Sequence, residues 1–134
     1  MCELLKQGTT LIVDRYSYSG IAYSVAKNTQ GLTYEWCRSS EIGLPRPDMI
    51  VFLTLGSEAQ KARVGFGGER YEETSFQERV ANCYTRLRQT EADRWLDVNV
   101  EGKSPKQLLE EIIVPVMNCI ECNGHKQLSI IEQN

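Results

Sequence analysis

With 134 residues, 41% apolar and 25% charged, the chain has the composition of one ordinary soluble domain, which excludes the disordered and fibrous classes. A net charge of −3 provides no basic field for a nucleic-acid backbone, so DNA or RNA binding is not expected and an anionic ligand must meet locally placed arginines. No apolar run approaches the roughly 20 residues that cross a bilayer, and Met1-Cys2-Glu3 lacks the charged-then-apolar pattern of a secretory signal. The expected location is therefore inside the cell, the cytoplasm first, with nucleus or mitochondrion as alternatives.

Met1 to Gln7 has a helical pattern closed by Gly8, and the following Thr10 to Val13 is a β-branched apolar run that predicts a buried central strand. A helix is predicted from about Ser19 to Lys27, and a short one over Thr33 to Ser39 opened by Thr33. Gly43 to Pro47 must be extended, because a residue that precedes proline avoids the helical region. Asp48 to Leu55 predicts a second strand, apolar on both faces, and Ser57 caps a helix bearing Lys61 and Arg63. Beyond Gly65, Gly67 and Gly68, a long amphipathic helix from about Thr74 to Ala92 carries Phe76, Val80, Cys83 and Leu87 on one stripe. Trp95 to Val100 is the third strand, and Ser104-Pro105 opens a last helix with Ser at the cap and Pro in the first turn.

Strands that alternate with helices predict an α/β fold with a parallel sheet. Three strands apolar on both faces need neighbours and covering helices that these residues do not supply, so the sheet is expected to be incomplete. Residues 1–122 are expected to form the domain and 123–134 a polar, mobile tail. Five cysteines at irregular spacing fit reduced thiols better than a disulfide framework. Cys119, Cys122 and His125 offer three zinc ligands without a fourth; the alternative is that Cys119 is a small apolar residue at a helix end.

Open parallel sheets bind ligands beyond the carboxyl ends of their strands, where Asp14, Arg15 and Tyr16 are expected to stand. An arginine there grips phosphate with a bidentate fork, and a neighbouring aspartate holds a water of a magnesium shell or orients the arginine. The competing reading is a strand-end salt bridge. The pair has company in the sequence: Asp14-Arg15-Tyr16-Ser17-Tyr18-Ser19-Gly20 is followed by Gly43-Leu44-Pro45-Arg46-Pro47-Asp48, then by Phe66-Gly67-Gly68-Glu69-Arg70-Tyr71-Glu72. Together, in this order and spacing, the three blocks resemble the thymidylate kinase family, over roughly Leu5 to Leu109.

The resemblance implies a P-loop NTPase-like fold and the conversion of dTMP to dTDP with ATP and Mg2+, a step in dTTP synthesis. It implies that Arg15 contacts the phosphate of dTMP, with Tyr16 beside it, and that Asp14 sits at the metal, through water. Ser19 and Tyr23 fall where the family lines the thymine pocket, and Tyr71 where an aromatic packs on deoxyribose; a core tyrosine remains the alternative for both rings. Residues from about 61 to 71 match the lid, in which Arg63 and Arg70 neutralise phosphate charge in the closed state or else are solvated loop arginines. Glu69, Glu72 and Gln77 are candidates to order the lid and the water near magnesium. No arginine lies between Arg63 and Arg70, which resembles the eukaryotic subset whose catalytic arginine comes from the P-loop.

The 134 residues contain no Gly-x-x-x-x-Gly-Lys-Ser/Thr loop, the segment that cradles ATP phosphates through backbone N–H groups and a lysine. In the family that loop, the first strand, the base-stacking aromatic and a second phosphate arginine lie upstream of the matched region. The chain is therefore expected to be an amino-terminally truncated kinase, inactive by itself. The other reading is a non-catalytic remnant that binds a nucleotide or a partner. Family members are usually homodimers, and a deoxyguanylate or uridylate kinase is the alternative within enzymes.

Overall fold

The computed structural model describes residues 1–56, 59, 74–124 and 126–132. Five helices and two strands are formed by these residues, in the order α1 (Cys2–Lys6), α2 (Ser17–Ala26), α3 (Tyr34–Ser39), β1 (Ile50–Thr54), α4 (Thr74–Thr90), β2 (Trp95–Asn99) and α5 (Pro105–Asn123). A 3-10 turn, Ala92–Arg94, leads into β2.

Local chemistry explains most of these limits. Thr33 caps α3 by accepting the Trp36 N–H at 3.1 Å. Ser104 and Gln107 form a reciprocal capping box at α5, with Pro105 in the first turn, where its missing N–H costs nothing. Gly8 ends the first helical segment at φ +81°, a left-handed conformation that an L side chain resists. The helix predicted over Thr33 to Ser39 runs from Tyr34 with Thr33 as its cap, whereas α2 starts two residues earlier than its pattern suggested.

The long amphipathic helix is α4, and all four stripe residues, Phe76, Val80, Cys83 and Leu87, are buried. They meet Tyr18, Ile21, Ala22 and Ala26 of α2 and Tyr34 and Cys37 of α3 in one core. The strands join this core through aromatic rings. Phe52 lies 4.9 Å from Tyr84 and 5.5 Å from Trp95, and Tyr18 meets Trp95 edge-on at 5.6 Å. Such pairs each contribute about 0.5–1.5 kcal/mol beyond their buried area, so this cluster fixes α2 and α4 against one face of the sheet.

β1 and β2 pair in parallel with Ile50 opposite Trp95 and Thr54 opposite Asn99. The predicted parallel sheet is present, with two strands rather than three. Thr10–Val13 joins no ladder among the described residues, and Ile12 is 92% exposed. Its β-branched residues favour extended backbone, but a strand exists only where a neighbour takes its hydrogen bonds. β1 also departs from expectation, since only one of its apolar faces is well covered. On the other face Leu53 is 56% exposed while its register partner Val98 is 1% exposed. α5 likewise buries no residue fully and leaves Leu109, Ile113, Val114 and Met117 exposed.

The loop before β1 is extended and tied down from an unforeseen side. Pro45 bridges Ile130 in antiparallel fashion, Arg46 N–H donates to Ser129 O at 2.9 Å, and Ile131 N–H donates to Leu44 O at 2.9 Å. Part of the segment expected as a polar tail is therefore docked, because Ile131 provides an apolar side chain to bury. The helix expected after Ser57, and the lid with Lys61, Arg63, Glu69, Arg70, Tyr71 and Glu72, lie outside the described residues, as does His125.

Candidate functional site

Arg15 has a positive φ of 64°, uncommon for a residue with a Cβ. This turn takes the chain from the Thr10–Val13 segment into α2 one residue later, at Tyr16, the N-cap. From there the side chains recur at helical spacing. Arg15, Tyr16, Ser19, Gly20, Tyr23 and Lys27 line one cleft of about 400 Å3 along a single face of α2. Asp14 is exposed at the turn beside this cleft and is not part of its lining.

Arg15 is held on two sides. Its Nε–H donates to Ser19 Oγ at 3.3 Å, and its guanidinium carbon lies 4.3 Å from the centre of the Tyr23 ring. The strand-end salt bridge does not form: among the described residues, neither Asp14 nor Arg15 makes an ion pair. An arginine whose guanidinium lies over a ring and whose Nε is tethered still presents its two terminal nitrogens, the geometry that takes a phosphate or carboxylate bidentately. Tyr23 serves the core and the cleft together, since it also packs on Phe76 at 5.8 Å.

The Tyr16 hydroxyl is shielded and has no hydrogen-bond partner among the described residues. Burial chiefly, with the nearby Glu41 carboxylate adding, pushes its phenol above the ordinary range. Gln77, on the first turn of α4, is partly buried. Of the residues singled out from sequence, the structure thus gathers Arg15, Tyr16, Ser19 and Tyr23 and sets Asp14 at their edge.

Two features escaped the sequence. Tyr84 of α4 reaches Ser19, with its hydroxyl 2.7 Å from Ser19 Oγ. It stands four residues after Val80, flanking the buried stripe, which is the one signal that placed it near the core. Below the cleft, buried Glu91 accepts the Tyr18 hydroxyl at 2.6 Å and Arg46 Nε–H at 3.1 Å, and Arg94 donates to Pro47 O at 3.0 Å. This network locks the Leu44 to Asp48 entry to α2 and to the turn before β2.

All five cysteines are free. Among the described residues, no group of three or more His, Cys, Asp or Glu side chains is close enough to hold a metal ion, and no helix is long and apolar enough to cross a membrane. The described residues thus form an α/β protein in which an arginine and two tyrosines line one open cleft along α2.

Comparison with known proteins narrows that class. The family profile described as "Thymidylate kinase" matches residues 1–112. A thymidylate kinase of Arabidopsis thaliana is 41% identical over 133 residues, covering 98% of this chain and 48% of the relative. The Homo sapiens thymidylate kinase is 38% identical over 126 residues, covering 94% of this chain and 58% of the relative. A solved thymidylate kinase of Candida albicans superposes with a TM-score of 0.73 at 34% identity, covering 97% of this chain and 64% of that one. The chain belongs to the thymidylate kinase family, and its α/β fold is the P-loop NTPase fold of that family. It spans about half the length of the curated relatives it matches.

Proposed function

We propose that this chain supplies the acceptor side of ATP-dependent phosphorylation of dTMP to dTDP. The observation that carries this reading is Arg15, tethered to Ser19, stacked on Tyr23, and without a carboxylate partner among the described residues, at a cleft large enough for a nucleotide ring. Arg15 takes the 5′-phosphate, Ser19 and Tyr23 face the thymine, and Tyr16 closes the cleft on the helix N-terminal side. Phosphoryl transfer depends on positioning and on charge stabilisation, which is what such an arginine offers.

The remaining roles belong to the same proposal and are supported by the family resemblance. Arg63 and Arg70 neutralise phosphate charge from the lid, Tyr71 packs on the deoxyribose, and Glu69, Glu72 and Gln77 order the lid. Magnesium characteristically takes one or two carboxylates, several waters and the substrate phosphates, and the single exposed Asp14 carboxylate suits a contact through water. When bound with ATP, that ion neutralises charge on the phosphoryl group in flight. These 134 residues contain no phosphate-cradling loop for ATP. By themselves they bind dTMP without transferring a phosphoryl group.

The test is a titration of the purified 134-residue chain with dTMP and UMP, beside a coupled assay with dTMP, ATP and magnesium. Saturable dTMP binding, weaker UMP binding and no turnover are expected. Turnover by this chain overturns the division of labour, and tighter binding of UMP overturns the assignment of the cleft.

A further inference from the structure

The cleft is contacted from a second helix. Arg15 sits on a left-handed turn, so the regular geometry of α2 does not set its direction. Its only hydrogen bond among the described residues is to Ser19 Oγ, a hydroxyl on a side chain with three accessible rotamers. The Tyr84 hydroxyl lies 2.7 Å from the same oxygen. Tyr84 itself cannot wander, because its ring is wedged 4.9 Å from Phe52 and 6.2 Å from Trp95.

We propose that Tyr84 is a positioning residue that fixes Arg15, through Ser19, for a nucleoside 5′-monophosphate. The proposal deepens the acceptor-site reading above and rests on it. A serine oxygen has two lone pairs and one proton. One lone pair receives the Arg15 Nε–H, and the pairing with Tyr84 uses the proton or the second lone pair, so both sides of the hydroxyl are occupied. Burial raises the phenol of Tyr84 above its ordinary range, which keeps its proton in place near neutral pH. With Nε anchored, the two terminal nitrogens of Arg15 form a fork of fixed direction. Only the phosphate end of the ligand senses this fork; the base and sugar do not.

That difference gives the experiment. Tyr84→Phe keeps the ring and removes only the hydroxyl, and thermal unfolding of the 134-residue chain verifies that the fold is intact. Titration with dTMP and with thymidine should show dTMP affinity falling about threefold to tenfold, the worth of one neutral hydrogen bond, and thymidine affinity unchanged. Ser19→Ala, which also removes a group placed at the thymine, should lower dTMP affinity at least as much as Tyr84→Phe, and the double variant should lose no more than Ser19→Ala alone. Equal affinity of wild type and Tyr84→Phe for dTMP overturns the inference, as do equal losses for dTMP and thymidine, which indicate a packing role. A wild-type chain that binds neither compound removes the acceptor-site reading itself, and the inference with it.

Discussion

Replacement of Glu91 by glutamine tests the network beneath the cleft. Glu91 is 4% exposed, and its Oε2 receives the Tyr18 hydroxyl at 2.6 Å and Arg46 Nε at 3.1 Å, with Arg94 Nε 4.0 Å away. Glutamine preserves the shape but removes the negative charge, so the Tyr18 bond becomes neutral and the Arg46 ion pair is reduced to a cation–amide bond. The difference is about 1 kcal/mol per bond, so the structure implies a loss of about 2 kcal/mol. Arg46 is 27% exposed, and water reaching it moves the figure toward 1 kcal/mol. Urea unfolding followed by circular dichroism should show the loss as a lower midpoint at unchanged slope, and Tm should fall by roughly 4–8 °C. Tyr18→Phe combined with Glu91→Gln should cost less than the two single changes added, since they share one bond. A Glu91→Gln chain as stable as the wild type refutes the idea that this carboxylate ties the strand entry to α2.

Cysteine chemistry offers a second check. Burial pushes the Cys83 thiol up from 9.0 to about 11 and raises that of Cys37, while Cys2 and Cys122 are exposed. At pH 8 iodoacetamide should label Cys2 and Cys122 quickly, and Cys83 and Cys37 only after denaturation, as read by mass spectrometry; rapid labelling of Cys83 in the folded chain contradicts the packing of α4. The raised thiol also sets a sign. Its folded pKa exceeds the unfolded one, so its contribution is complete below pH 9 and is lost as pH rises toward 11. Cys83→Ala should flatten that decline without abolishing it, because the raised phenols of Tyr18 and Tyr84 remain. Finally, Leu53 is 56% exposed, so Leu53→Lys should change stability by less than about 0.5 kcal/mol. The same change should reduce self-association in light scattering; a large loss of stability implies that the face is covered.

Where burial follows a period, the sequence was readable. Phe76, Val80, Cys83 and Leu87 are spaced to face one way on a helix, and they all reach the core. Thr33 and Ser104 announced helix starts because their hydroxyls cap locally. The failures concern partners distant in the chain. Nothing in Thr10–Val13 reveals whether a neighbouring strand exists to pair with it, and nothing in Val51 and Leu53 reveals whether their face is covered. The site divides the same way. Arg15 and Tyr16 were singled out by their place after the Thr10–Val13 run and Ser19 and Tyr23 by the family resemblance; helical spacing on α2 explains why they share one cleft. Tyr84 stands 65 residues from Ser19, and Glu91 73 from Tyr18, separations that only the tertiary fold closes. Ile131 was unreadable for the same reason, since its partner Leu44 lies 87 residues away in the chain.

The central claim is that the α2 cleft grips the phosphate of dTMP through Arg15. Calorimetric titration of dTMP into the wild-type chain and Arg15→Ala tests it most directly. Loss of a charge-assisted contact worth about 1.5–3 kcal/mol should weaken binding by roughly 10- to 100-fold. An Arg15→Ala chain that is folded and binds dTMP as tightly as the wild type contradicts the account.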